Sequence, residues 1–198
     1  MRRTLTLMLA VALFSALATG CANYDENEWQ RLVCEVHSVN EGSPLLSAYL
    51  YVGPDLEAGT EDDIFPVDWI PVQFYARPYS STLTIPENDV SSWFHVTNYD
   101  LRWVPGPNCP QEITDHNIYG APCDARVPMG EIGNVHIMLT DRVMKEEPWF
   151  RALYYTNPGS SFTAAAQLTF YGHETGNSET VSLSGGLMVT FYGAVNPN

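Results

Sequence analysis

The sequence predicts an all-β fold, an antiparallel sandwich or barrel with one short helical segment. Apolar and polar residues alternate with period two along much of the chain, which is typical of half-buried strands. Turn-forming residues separate these runs at short intervals. The 198 residues are 45% hydrophobic and 12% aromatic, which is enough to build a packed core. No internal repeat or linker divides the chain, so residues 30–198 are expected to form a single domain.

The alternating runs predict most of the strands directly. They cover residues 30–39, 46–52, 67–76, 92–104, 134–140, 162–171, 180–184 and 187–192. In the third run Pro71 favours an edge strand or a bulge, because proline cannot donate to a sheet. Between the last two runs Gly185 and Gly186 indicate a bulge or a sharp bend. The helical segment is 141–153, with Asp141 as its cap and a break at Pro148.

Residues 1–20 have the layout of a secretory signal peptide. Arg2 and Arg3 precede an apolar run that is short for a membrane span, and small residues end it. Residues 17–21, Leu-Ala-Thr-Gly-Cys, resemble the lipobox of bacterial lipoproteins, which implies that Cys21 is acylated and becomes the first mature residue. A plain cleavable signal peptide is the alternative. Ala22 after the cysteine resembles the signal for outer-membrane delivery, and residues 21–29 would be a polar tether.

The charge balance excludes one large class of partners. The chain has nine lysine and arginine residues against 23 aspartate and glutamate residues, a formal charge of −14. Removal of residues 1–20 takes away Arg2 and Arg3, which leaves seven basic residues and a formal charge of −16. Nucleic-acid binding is disfavoured, because affinity for the phosphate backbone depends on basic side chains.

The cysteines that follow Cys21 predict one disulfide in an oxidising compartment. Cys109 and Cys123 bracket a segment rich in turn formers and are the expected pair. Cys34 shares the parity of its apolar neighbours and is expected to be a buried free thiol, with a bridge to Cys109 or Cys123 as the alternative. The chain has no Cys-x-x-Cys motif, which disfavours structural zinc.

The C-terminal half resembles a known group of proteins. The segment Phe94–Trp103 and the paired segments 166–174 and 179–193 are similar to the closing strands of uncharacterised bacterial envelope lipoproteins. This resemblance implies an immunoglobulin-like β-sandwich but no active site, because a fold by itself specifies no function.

An acidic, glycine-containing stretch, residues 53–63, suggests a weak calcium site. Calcium takes several oxygen ligands from flexible loops, although the spacing here does not match an EF-hand. The candidate ligands are Asp55, Glu57, Glu61, Asp62 and Asp63. A merely solvated acidic loop is the alternative.

Two aromatic residues suggest a binding surface. Trp69 and Tyr75 lie opposite the apolar parity of their strand and could form a platform for a protein or a sugar. No Gly-x-Ser-x-Gly motif occurs, so no catalytic residue is assigned. The sequence therefore predicts a lipid-anchored binding or accessory subunit of the cell envelope with a protein partner. A calcium-dependent or carbohydrate-binding module and an unrecognised hydrolase are the alternatives.

Overall fold

Eight β-strands form two facing sheets in this computed structural model, which describes residues 31–55, 57, 60–82, 92–156 and 161–193. The strands are β1 (Leu32–Val39), β2 (Leu45–Ala48), β3 (Asp68–Pro78), β4 (Trp93–Pro105), β5 (Ile118–Pro128), β6 (Ile132–Thr140), β7 (Ser161–Glu174) and β8 (Val181–Tyr192). The predicted signal peptide, Cys21 and the tether lie outside the described residues.

The strands are arranged as a sandwich of one small and one larger sheet. The small sheet has the order β1-β3-β6 and is antiparallel throughout. The larger sheet has the order β2-β8-β7-β4-β5. Its strands are antiparallel except for β2, which runs parallel to β8. The predicted all-β sandwich is confirmed, and the parallel edge strand is the departure from a purely antiparallel arrangement.

The two sheets enclose one hydrophobic core. Alternate residues of each strand point inward, because successive side chains of a strand point to opposite faces. The largest buried apolar residues include Ile70, Phe74, Phe94, Leu101, Ile137, Phe170 and Phe191. Phe74 of the small sheet meets Phe170 of the larger one edge to face, with ring centroids 5.0 Å apart. Aromatic pairs favour this geometry, so the contact stabilises the packing of the two sheets against each other.

The position of Pro71 differs from the expectation of an edge strand. β3 is the central strand of the small sheet, and Pro71 is paired with His136 of β6. On the other side, the last pair with β1 joins Val39 to Val72. β3 therefore has no partner in β1 at Pro71, and a proline is tolerated at such a local edge.

The predicted bend at Gly185 and Gly186 is wrong, because β8 continues through both residues without a register shift against β7. A side chain would crowd its neighbours at both positions, more severely at Gly186. A Cβ on Gly186 would lie 2.7 Å from the carbonyl oxygen of Ala166, and one on Gly185 would lie 3.0 Å from Val36 Cγ1 of the opposite sheet. These glycines allow close approach of neighbouring backbone and of β1 rather than a turn.

The helical segment consists of two short helices, α1 (Arg142–Glu146) and α2 (Pro148–Thr156). Asp141 caps α1 as predicted, since its Oδ1 accepts a hydrogen bond of 2.8 Å from Met144 N. The break falls at Glu147, immediately before Pro148. Met144 is buried, whereas Val143 is 64% exposed and does not pack against the core.

Candidate functional site: the outer face of the small sheet

The predicted platform residues lie together on the outer face of the small sheet. Trp69 and Tyr75 belong to the outward parity of β3, opposite the buried Ile70, Val72 and Phe74. Their partners on β6 are Met138 and Ile132. We call this surface the Trp69 face and define it by Trp69, Pro71, Gln73, Tyr75, Ile132, Asn134, His136 and Met138.

The Trp69 face presents apolar groups with amide groups between them. Trp69 is 58% exposed and Ile132 is 45% exposed, and no described element covers either of them completely. Trp69 and Tyr75 are six residues apart, which corresponds to roughly 20 Å along an extended strand. Gln73 lies between them, and its Oε1 accepts a hydrogen bond of 2.8 Å from Ser38 Oγ. The face therefore carries an aromatic residue at two well-separated positions of β3.

Such a surface can bind but shows no catalytic arrangement. Exposed tryptophan and tyrosine rings provide large contact areas at a low entropic cost. The side-chain amides of Gln73 and Asn134 provide hydrogen-bond donors and acceptors between the aromatic residues. The surface could therefore accept either an apolar protein patch or a sugar ring.

The acidic loop uses its carboxylates to hold its own backbone. Asp63 accepts hydrogen bonds from Gly53 N (3.2 Å) and Thr60 N (3.1 Å). Asp55 Oδ1 accepts from Glu57 N at 2.9 Å. The Thr60 hydroxyl donates to Asp62 Oδ1 at 2.6 Å, and this bond lowers the pKa of Asp62. The three aspartates are therefore already hydrogen-bonded inside the loop.

The arrangement of the acidic side chains is relevant to the predicted calcium site. In the described parts of the chain, no three histidine, cysteine, aspartate or glutamate side chains form a group that could hold a metal ion. Glu57 and Glu61 are exposed in the same loop. Calcium binding at this loop stays a prediction.

The predicted disulfide between Cys109 and Cys123 is not formed, and both residues are free thiols. Cys123 follows Pro122, which is paired with Asn98 of β4, whereas Cys109 N donates to Gly106 O just beyond the end of β4. Asn98 and Gly106, which mark the positions of Cys123 and Cys109, are on the order of 25 Å apart along the strand. A disulfide requires Cα atoms within about 7 Å. The turn formers between the cysteines do not fold into a closed loop, because residues from Ile118 onward form β5.

Cys34 is a buried free thiol, as expected, and the alternative bridges to Cys109 or Cys123 are not formed either. Burial raises the pKa of Cys34 to about 12. The same cause raises the pKa of Cys109 and of Cys123 to about 11. Thiols are nucleophilic only as thiolates, so none of the three is activated for chemistry.

The structure adds a buried polar cluster that sequence reasoning missed. Lys145 of α1 has no exposed side-chain surface, and its Nζ donates to Asp68 Oδ2 at 2.8 Å and to Ala48 O at 2.9 Å. Asp68 Oδ2 also accepts from Ser47 Oγ at 2.6 Å and from the hydroxyl of Thr140. We call Lys145, Asp68, Ser47 and Thr140 the Lys145 cluster.

The Lys145 cluster joins elements that are distant in the sequence. Ser47 lies on β2 of the larger sheet, Asp68 and Thr140 lie on β3 and β6 of the small sheet, and Lys145 lies on α1. Burial lowers the pKa of Lys145, and the neighbouring Asp68 carboxylate opposes this effect. One sequence signal could have revealed the cluster, since Lys145 is the only lysine of the chain and follows an apolar helix position.

The outer face of the larger sheet carries a second group of polar residues. His173 lies in β7 and is directly opposite His95 of β4, with ring centroids 5.6 Å apart. His95 Nε2 lies 2.8 Å from Asp124 Oδ1. The Tyr171 hydroxyl donates to Asp100 Oδ2 at 2.9 Å, and this bond raises the pKa of Tyr171. This face is more polar than the Trp69 face.

Helices of the described regions are too short or too polar to cross a membrane.

No family model matches the chain, and no curated protein matches it. Among solved structures, the chain is similar to the CooA pilin subunit from enterotoxigenic Escherichia coli, with a TM-score of 0.27 and 9% sequence identity over 85% of this chain and 100% of that chain. A likeness of this size leaves the function to be argued from the residues themselves.

Proposed function

We propose that the protein is a lipid-anchored component of the bacterial cell envelope that acts as a non-catalytic binding or accessory subunit through the Trp69 face. The observation that carries the proposal is the 58% exposure of Trp69 on a sheet face that it shares with Ile132 and Tyr75. Large apolar side chains held outside a core are typical of interaction sites when they share one surface.

Charge and composition support a binding role for an anchored protein. The formal charge of −16 after removal of residues 1–20 would keep the protein soluble and away from anionic lipid head groups. The lipobox-like segment that ends at Cys21 would supply the membrane attachment, since acyl chains contribute about 0.8 kcal/mol for each buried methylene. A partner would then bind the domain at the membrane surface.

Affinity capture tests the binding role. The full-length protein is expressed in its native envelope, cross-linked and purified under denaturing conditions. We expect one partner in stoichiometric amount from the wild type and at least a tenfold loss of it from a Trp69→Ala variant. Tyr119→Ala is the matched control, because Tyr119 is 68% exposed on β5 of the other sheet. Equal recovery from all three proteins would refute a role for the Trp69 face.

The lipid anchor is tested separately. A Cys21→Ser variant cannot be acylated, so we expect it to move from the membrane fraction to the soluble fraction after export. A Cys34→Ser variant controls for the loss of a cysteine, and we expect it to remain with the membrane. Membrane retention of the Cys21→Ser protein would contradict the anchor.

Carbohydrate binding is the second candidate function. It is favoured by the position of Gln73 and Asn134 between the aromatic residues of the Trp69 face, because aromatic stacking with flanking hydrogen bonds suits sugar rings. A glycan array with the wild type and Trp69→Ala tests it, with binding expected only for the wild type. Repeating the array with a chelator, and titrating calcium by calorimetry, decides whether the acidic loop takes part.

A further inference from the structure

The Lys145 cluster places an amine against a carboxyl group in a site almost closed to water. The side chain of Lys145 is fully buried and that of Asp68 is 12% exposed. Nζ lies 2.8 Å from Oδ2, and the carbon–oxygen bond puts the carboxyl carbon within about 4 Å of the amine. The two reacting groups of an amide bond are therefore held together by the fold.

We propose that Lys145 and Asp68 become joined by an intramolecular amide bond between Nζ and the carboxyl carbon. Such a bond would covalently link α1 to the start of β3. The proposal is independent of the binding role of the Trp69 face, because the Lys145 cluster lies inside the protein and that face lies outside it.

The reaction needs no external reagent. The ammonium group of Lys145 passes one proton to the Asp68 carboxylate, which gives a neutral amine and a carboxylic acid. The amine attacks the carboxyl carbon, the Nζ–Cγ bond forms, and the Cγ–Oδ2 bond breaks. The departing oxygen leaves as water with two of the three protons of the original ammonium group. Asp68 keeps a small exposed surface, through which this water can leave.

The neighbours of Asp68 favour the reaction. Ser47 and Thr140 donate hydrogen bonds to Oδ2, which draw electron density away from the carboxyl carbon and make it more open to attack by the amine. Burial lowers the pKa of Lys145, which favours the neutral amine that attacks. The reaction also replaces two buried charges, which are costly to remove from water, with a neutral amide.

The fixed geometry compensates for the reluctance of amines and carboxylates to condense in water. Groups held in a productive orientation react as if present at effective concentrations of about 10⁵ to 10⁸ M. Thr140 and Asp68 also hold each other in place, since Asp68 N donates to Thr140 Oγ1 at 3.3 Å. Hydrogen bonds of the Asp68 backbone and of its side chain therefore both hold the carboxyl group in place.

Peptide mapping tests the proposal. The full-length protein is denatured, treated with an amine-reactive reagent, digested with trypsin and analysed by mass spectrometry. Lys145 is the only lysine, so a label on a lysine side chain reports this residue alone. We expect Lys145 to be unlabelled and to occur in a branched peptide that is one water lighter than the two tryptic segments containing Asp68 and Lys145.

An Asp68→Ala variant is the control, and it remains informative if it does not fold, because labelling is done on the denatured chain. We expect Lys145 to be labelled and no branched peptide to form in this variant. A wild-type protein in which Lys145 is labelled and the two segments are recovered separately at full mass would overturn the proposal and leave an ordinary buried ion pair.

Discussion

Lys145 Nζ donates to Asp68 Oδ2 at 2.8 Å and thereby joins α1 to the first residue of β3. The same Nζ donates to Ala48 O, at the end of the short strand β2. A single side chain thus connects the edge of the larger sheet, the small sheet and a helix. The stability of the fold is therefore expected to depend on this connection.

Replacement of Lys145 by methionine is expected to lower the free energy of unfolding by at least about 3 kcal/mol, because it leaves the Asp68 carboxylate buried without a partner, whether the wild type holds that carboxyl group in an ion pair or in the proposed amide bond. Urea denaturation monitored by tryptophan fluorescence measures this change. Arg142→Ala is the control in the same helix, since Arg142 and its i,i+4 partner Glu146 are exposed. We expect the control to lose no more than about 0.5 kcal/mol. Equal losses in the two variants would show that the Lys145 cluster does not stabilise the fold.

The buried thiol of Cys34 predicts a loss of stability at alkaline pH. Its pKa is raised from 9.0 to about 12, so below pH 9 it is protonated in both the folded and the unfolded chain and its contribution is fully present. As the pH rises towards 12, the unfolded chain ionises and the folded chain does not, which lowers the free energy of unfolding.

Urea denaturation under reducing conditions at about pH 8 and about pH 10.5 checks this prediction. The wild type is expected to lose more stability between the two pH values than a Cys34→Ala variant does. Cys109 and Cys123 act in the same direction, so the variant should keep part of the loss. Identical losses in the two proteins would contradict the prediction.

The structure predicts the number of free thiols in the protein. The purified protein, denatured without a reductant, is expected to titrate three thiols from Cys34, Cys109 and Cys123. An acylated Cys21 holds its sulfur as a thioether and adds none, so a Cys21→Ser variant should also give three. A count of one would show that a disulfide forms in the exported protein, and a count of four in the wild type would show that Cys21 is not acylated.

The close approach at Gly186 predicts that alanine is not tolerated there. A Cβ at this position would lie 2.7 Å from Ala166 O, so β7 and β8 would have to separate. We expect Gly186→Ala to lower the free energy of unfolding by about 1–3 kcal/mol, the usual cost of overpacking. Ser184→Ala on the same outward face of β8 is the control and should change stability by less than about 0.5 kcal/mol. Thermal denaturation of the two variants separates these outcomes.

The strands that alternate cleanly could be predicted, and those that do not were missed. Tyr99, Leu101 and Trp103 of β4 are buried as their parity predicts. β5 was not predicted, because Gly120 and Pro122 interrupt its pattern and indicate turns when read locally. Its pairing with β4 supplies the hydrogen bonds that hold it extended, and that pairing is a long-range property.

The candidate site could likewise be predicted only in part. The outward position of Trp69 and Tyr75 follows from strand parity alone. The surface that they share with Ile132 depends on the pairing of β3 with β6, which no local pattern specifies. The single lysine could have drawn attention to Lys145, but its partners could not be predicted, because Ser47 and Asp68 are far in the sequence from Thr140 and Lys145.

The sequence by itself determined the β class, the parity of most strands, the cap at Asp141 and the burial of Cys34, because these properties depend on neighbours a few residues away. Only the tertiary structure decided that Cys109 and Cys123 are free thiols, that Gly185 and Gly186 lie within an uninterrupted strand, and that the one lysine is buried against Asp68. Each of these outcomes depends on which strands become neighbours. The pairing of the strands is determined by the burial of the whole core, not by any local segment.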